Sequence, residues 1–109
     1  MARLRRAEPA RNSVNSAVLD ALPHADIQTV VFFKRDELTT DLICCDIEIG
    51  GRVWFFHEEV EGWRLLLQHL QQLPGFDLDW YARVSQPPFA NSETVAFRRD
   101  RSEASPYRG

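Results

Sequence analysis

The sequence predicts a single α+β domain with a mainly antiparallel sheet of about four strands, a long amphipathic helix covering one face, and one or two short helices. Residues typical of strands fill Ile27–Phe33, Leu42–Ile49 and Arg52–His57. Gly50-Gly51 separates the last two runs, and a glycine pair there favours a two-residue hairpin. The segment Trp63–Leu73 has the apolar spacing of a helix instead.

The first predicted elements are a short helix and a strand. Residues 1–12 are basic and are expected to be disordered. Ser13 is the expected N-cap of a helix over Val14–Leu22, which Pro23 ends. The strand Ile27–Phe33 follows, and the polar segment after it is expected to be a connection.

The first strand is apolar on both faces. Alternation places Ile27, Val31 and Phe33 on one side, and Val30 and Phe32 on the other with Val53 and Phe55. An exposed second apolar face has to be covered. Its cover is either the N-terminal helix or Asp77–Ser85 in cis, or a second copy or another protein in trans.

The hairpin turn at Gly50-Gly51 determines which residues of the two strands face each other. It places Cys45 opposite Phe56 and Cys44 opposite His57. The predicted core face carries Ile43, Cys45, Ile47, Ile49, Trp54 and Phe56. The other face carries Leu42, Cys44, Asp46, Glu48, Val53, Phe55 and His57. Cys45 is therefore predicted to be a packing residue under the helix.

The predicted helix over the core face runs from Val60 to Leu73, and Pro74-Gly75 ends it. The segment Asp77–Ser85 is either a second short helix with Asp77 as its cap or a strand. After a proline-containing loop, Thr94–Arg98 is the expected last strand.

Length and charge limit the classes of function. The 109 residues suffice for one modest core, expected over 13–99, with a polar tail over 100–109. Residues 1–12 carry a net +3 and residues 98–109 a net +2, so the total of −3 leaves −8 on residues 13–97. An acidic body repels phosphate backbones, which argues against nucleic acid as a ligand.

The expected compartment is the cytoplasm, with no membrane partner. The chain has no apolar run near the ~20 residues of a membrane span and no apolar stretch of a secretory signal. Arginine outnumbers lysine 12 to 1, which is typical of a GC-rich bacterial genome.

Cys44, His57 and Asp46 are the candidate catalytic residues. The predicted register places the thiol beside the imidazole, with the carboxylate next along the strand. A basic neighbour favours a reactive thiolate. The competing interpretation is a half-exposed strand face on which three residue types meet by chance. No spacing typical of a metal site is present, so no metal or cofactor is expected.

An acidic and aromatic surface is the candidate partner site. Its residues are Asp41, Asp46, Glu48, Phe55, Glu58 and Glu59. Complementary charge would favour a basic partner. Trp80, Tyr81 and Phe89 are a further set, which either lines a small groove or covers the end of the sheet.

These observations favour a non-enzymatic protein–protein interaction module, with self-association into a homodimer included. An inhibitor or immunity-type protein for a basic partner is one form of it. The alternative is a small thiol-dependent enzyme, or a metal or ligand binder, centred on Cys44 and His57.

Overall fold

A computed structural model describes residues 6–8, 13–37, 40–86 and 92–99. Its elements are β1 (Arg6–Glu8), α1 (Ser16–Asp20), a 3₁₀ turn (His24–Asp26), β2 (Ile27–Glu37), β3 (Thr40–Ile49), β4 (Arg52–His57), α2 (Trp63–Leu70), α3 (Trp80–Val84) and β5 (Ser92–Arg98). The strand order is β1-β4-β3-β2-β5, with every pair antiparallel except β1 and β4. The predicted α+β class with a mainly antiparallel sheet is confirmed.

The β3–β4 hairpin has the predicted register. Ile49 pairs with Arg52, Cys45 with Phe56 and Cys44 with His57. Gly50 and Gly51 have φ values of 59° and 77°, a region that residues with a Cβ rarely adopt. The two glycines therefore make the turn that determines which residues of β3 and β4 share a face.

β2 extends further than predicted and contains a register shift. It runs to Glu37, which pairs with Thr40, so the polar segment expected to be a connection continues the hairpin instead. A shift between Ile27 and Thr29 breaks the alternation, and Ile27 joins the core. Ile27 therefore lies on the core side of the sheet and not on the side of Val31 and Phe33, where it was predicted.

The predicted partnership of Val53 and Phe55 with Val30 and Phe32 is wrong. Asp46 pairs with both Val31 and Phe55, while Cys45 pairs with both Phe32 and Phe56. Because paired residues share a face, Val53 and Phe55 lie on the side of Val31 and Phe33.

α2 is shorter than the predicted helix over Val60–Leu73. It covers Trp63–Leu70 and is the one helix of seven or more residues in the described part of the chain. The chain before it is held by Val14, whose N–H donates to the carbonyl of Glu61 at 2.7 Å. Gly62 follows with a φ of 87°, and a Cβ there would overlap the carbonyl oxygen of Val14. These contacts with the N-terminal segment keep the preceding residues out of the helix.

One long helix was predicted to cover the core face, but several elements cover it together. Leu66 and Leu70 of α2, Trp80 and Val84 of α3, and Leu22 after α1 all belong to the buried core cluster. The ring of Phe32, on β2, lies parallel to that of Trp80 at 3.7 Å between centroids. The rings of Trp63 and Phe76 each approach Phe32 edge-on at 6.3 Å.

The two short helices correct the predicted caps. α1 begins at Ser16, and Asn15 rather than Ser13 caps it by accepting a hydrogen bond from the N–H of Val18 at 3.1 Å. α3 resolves the alternative over residues 77–85 in favour of a helix. Asp79 is its N-cap residue, while Asp77 accepts from the N–H of Asp79 at 2.9 Å just before it.

The N-terminal segment contributes a strand where none was expected. Arg6–Glu8, within the segment 1–12 that was expected to be disordered, lies parallel to β4 and pairs with Val53 and Trp54. The other residues of that segment and the tail over 100–109 lie outside the described residues. None of the helices in the described part of the chain is both long and apolar enough to cross a membrane.

Candidate functional site

The side of the sheet opposite the helices is the first candidate surface. We call it the open sheet face, and its central residues are Val31, Phe33, Cys44, Asp46 and Phe55. The buried residues of the helices form one cluster with core-face residues such as Phe32 and Cys45. Cys44 and Phe55 are buried but do not belong to that cluster. The described helices therefore pack on one face of the sheet.

Aromatic and acidic side chains lie together on the open sheet face. The rings of Phe33 and Phe55 have centroids 6.2 Å apart, on the two strands that flank β3. Asp46 lies on β3 between them, directly opposite Phe55, and is only 5% exposed. Glu48 is the next residue of β3 on this face, and its Oε1 accepts a hydrogen bond from Thr29 Oγ1 at 3.2 Å.

The rim of the open sheet face carries both signs of charge. Arg35 pairs with Leu42, Arg98 with Thr29, and Glu93 with Phe33 in the strand ladders. Val95 on the edge strand β5 is 41% exposed on the same side. The carboxylates of the central strand are thus surrounded by an apolar zone and a mixed rim.

The six predicted partner-site residues do not form one surface. Asp41 has the same alternation as Ile43 and Cys45, so it lies on the core side of β3, where its Oδ2 is 3.6 Å from Lys34 Nζ. Glu58 lines the same pocket as Asp41. Glu59 is an exposed turn residue. Asp46, Glu48 and Phe55 are the predicted residues that the open sheet face brings together.

The candidate thiol site has the predicted register but a buried thiol. Cys44 is opposite His57, yet it is 0% exposed and its thiol donates to the carbonyl of Leu42 at 3.8 Å. His57 Nδ1 accepts the N–H of Glu59 at 3.2 Å, which occupies that nitrogen. Burial, followed by the nearby charges of Asp46 and Cys44, raises the pKa of the Cys45 thiol well above its usual range. Cys45 is therefore held as an unreactive thiol.

A pocket of about 180 Å³ on the core side is the second candidate surface. Its lining residues are Lys34, Asp41, Ile43, Glu58, Tyr81 and Ser85. Of the predicted groove residues, Tyr81 lines this pocket and is 60% exposed, while Trp80 is buried in the core. Phe89 lies outside the described residues.

Sequence reasoning missed Lys34 and Ser85. Lys34 is the single lysine of the chain and is 2% exposed, with its Nζ donating to the carbonyl of Ser85 at 2.9 Å. The available signal was alternation, because Lys34 follows Val30 and Phe32 at core-face positions of β2. Ser85 carried no such signal, since its position depends on how α3 packs.

The charged groups that line the pocket are the carboxylates of Asp41 and Glu58 and the ammonium of Lys34. Burial is the largest cause that raises the pKa of Glu58, and the charge of Glu59 is the next. The described residues contain no group of three or more His, Cys, Asp or Glu side chains that could hold a metal ion.

Comparison with known proteins gives no further guide. No protein-family description, curated protein or solved structure matches the chain.

Proposed function

We propose that the protein is a non-enzymatic interaction module that binds a basic protein in the bacterial cytoplasm through its open sheet face. The observation that supports this most directly is the arrangement of Phe33, Phe55 and Asp46 on the side of the sheet away from the described helices. A surface of two aromatic rings with a carboxylate between them matches one kind of side chain well.

That side chain is arginine. Its planar guanidinium is always charged, is weakly hydrated, stacks on aromatic rings and pairs with carboxylates. Phe33 and Phe55 offer the rings, and Glu48, which is half-buried on the strand between them, offers the carboxylate. An arginine of the partner would lie over Phe55 with its guanidinium directed to β3.

The charge of the whole domain favours the same partner. Residues 13–97 carry a net −8, so a basic protein would be attracted from a distance and its association would be accelerated. An inhibitor that neutralises a cationic enzyme is a role that such a surface would serve. In this proposal the apolar zone inside the mixed rim excludes water around the ion pairs.

The test is native mass spectrometry of the protein isolated gently from its own cells, followed by titration with the partner that it identifies. We expect a basic second chain. Glu48→Arg should weaken its binding about tenfold by reversing a charge on the open sheet face. Asp79→Arg makes the same change at an exposed residue beside α3 and should leave the affinity unchanged.

Three results would contradict the proposal. One is an acidic partner chain, and another is an equal loss of affinity in Glu48→Arg and Asp79→Arg. The third is a homodimer without a second chain, because a second copy would then cover the apolar face.

A further inference from the structure

The pocket that contains Lys34 is separate from the open sheet face. It lies on the core side, because Asp41 and Ile43 alternate with the open-face residues of β3. Four segments of the chain converge on it: β2, β3, the turn after β4 and the end of α3. A site that combines these strands with the end of α3, where Ser85 lies 51 positions after Lys34, is a property of the tertiary structure.

The positive charge in the pocket is matched by nearby groups. Lys34 Nζ donates to the carbonyl of Ser85 at 2.9 Å and lies 3.6 Å from Asp41 Oδ2. Both contacts occur on a side chain that is almost fully buried. Ammonium and carboxylate therefore offset each other, and Glu58 adds a negative charge to the pocket.

Three groups of the lining favour a cation. Glu58 carries a carboxylate whose pKa is raised by burial, so a bound cation would stabilise the ionised form. Ser85 Oγ is buried and has no hydrogen-bond partner among the residues that the structure describes. Tyr81 is mostly exposed and lines the pocket, so its ring can cover a bound cation.

We propose that this pocket binds an alkylammonium group, which pairs with the Glu58 carboxylate, donates a hydrogen bond to Ser85 Oγ and lies against the Tyr81 ring. Ile43 lines the pocket as well and would contact the alkyl chain. The volume of about 180 Å³ suits a small amine. The group belongs either to a free amine or to the lysine side chain of another protein.

The experiment follows backbone amide shifts of the full chain by NMR during titration with n-butylammonium chloride. Shifts are expected at Tyr81 and Ser85, with saturation at about 10 mM or below. 1-Butanol, which is neutral and of the same length, should bind at least about tenfold more weakly. Nα-acetyl-lysine N-methylamide distinguishes the two sources, because its backbone amides fit only if the pocket accepts a lysine within a chain.

Two neighbouring variants provide the control. Glu58→Gln keeps the size of the side chain, removes its charge and should weaken n-butylammonium about tenfold. Glu59→Gln removes the adjacent charge of a residue that does not line the pocket and should change the affinity less than twofold. Affinity should also fall as the pH is lowered through the raised pKa of Glu58, because protonation removes the carboxylate.

Any of three results would overturn the proposal. They are the absence of saturable shifts, equal binding of 1-butanol and n-butylammonium, and equal effects of Glu58→Gln and Glu59→Gln on the affinity. Amine binding in this pocket is independent of the interaction module on the open sheet face. Glu48→Arg, on the open sheet face, should leave n-butylammonium binding unchanged while it weakens the protein partner.

Discussion

Cys44 and Cys45 are neighbours on β3 and are both 0% exposed, but they are buried on opposite faces of the sheet. Cys45 lies in the core cluster beneath the helices, between Phe32 and Phe56 of the flanking strands. Cys44 lies outside that cluster, between Phe33 and His57. One face is thus a packed interior and the other a surface with a buried centre, so equal burial does not imply equal contribution to stability.

Phenylalanine substitutions in β2 provide the strongest test of this difference. Phe32→Ala removes a ring that contacts Trp80, Trp63 and Phe76, and should lower the free energy of unfolding by about 3–5 kcal/mol. Phe33→Ala, one residue along and on the open sheet face, should cost about 1–2 kcal/mol. Urea denaturation measures both values.

Phe32→Leu, expected to cost about 1–2 kcal/mol, keeps the comparison measurable if Phe32→Ala does not fold. If Phe32→Leu and Phe33→Leu destabilise the protein equally, the two faces do not differ in the way we describe.

Gly62 tests the connection between the core face and the N-terminal segment. Gly62→Ala combines a positive φ with overlap of the new methyl group and the Val14 carbonyl, and should cost about 2–4 kcal/mol. Gly75→Ala has a similar φ of 77° but open space around it, so it should cost only about 1 kcal/mol. Thermal unfolding of the two variants gives the difference, and equal costs would show that the approach of Val14 is not tight.

Alkylation of the two cysteines compares the same two faces kinetically. In single variants Cys45→Ser and Cys44→Ser, both remaining thiols should react more slowly than a free thiol because both are buried. Cys44 should react faster than Cys45, since no described helix has to move away from it and the pKa of Cys45 is raised.

Rates are measured with iodoacetamide between pH 6 and pH 9. A Cys44 that reacts faster than a free thiol at neutral pH would instead support the thiol-dependent alternative.

The smallest expected effect is the pH dependence that Glu58 contributes. Because its pKa is raised in the folded state, the folded chain holds this proton more tightly than the unfolded chain does. Glu58 therefore adds to stability as the pH falls through the raised value, and this contribution is lost towards neutral pH. Glu58→Gln should increase the free energy of unfolding at pH 7 by less than about 1 kcal/mol, since the group is largely solvated.

The gain from Glu58→Gln should disappear below the pKa of an ordinary glutamate, where both states are protonated. Glu61→Gln, an exposed neighbour outside the pocket, serves as the control, and urea denaturation at several pH values measures both variants. A gain that persists in acid would show that its cause is not the Glu58 charge.

Prediction from sequence succeeded where local chemistry determines the structure. The register that pairs Cys44 with His57 follows from counting outward from the Gly50-Gly51 turn, and it is confirmed. Prediction from sequence failed for the helix ends and for the faces of β2. The apolar spacing over Val60–Leu73 is real, but backbone contacts of Val14 decide where α2 begins.

The same contrast between local and tertiary determinants applies to the residues of the candidate sites. Asp46, Glu48 and Phe55 could be assigned to one face because alternation within a known hairpin determines it. Asp41 and Glu58 could not be separated from them, because the pocket with Lys34 exists only after β2 extends to Glu37 and α3 packs beside it.

By itself, the amino-acid sequence determined the class of fold, the hairpin register, the acidic charge of the domain and the burial of Cys45. Each follows from local turn chemistry, alternation or composition. The tertiary structure alone decided that the helices share one face and that Lys34 meets Ser85, a residue 51 positions away. Such contacts depend on the balance of packing between distant segments, and no local pattern of residues encodes that balance.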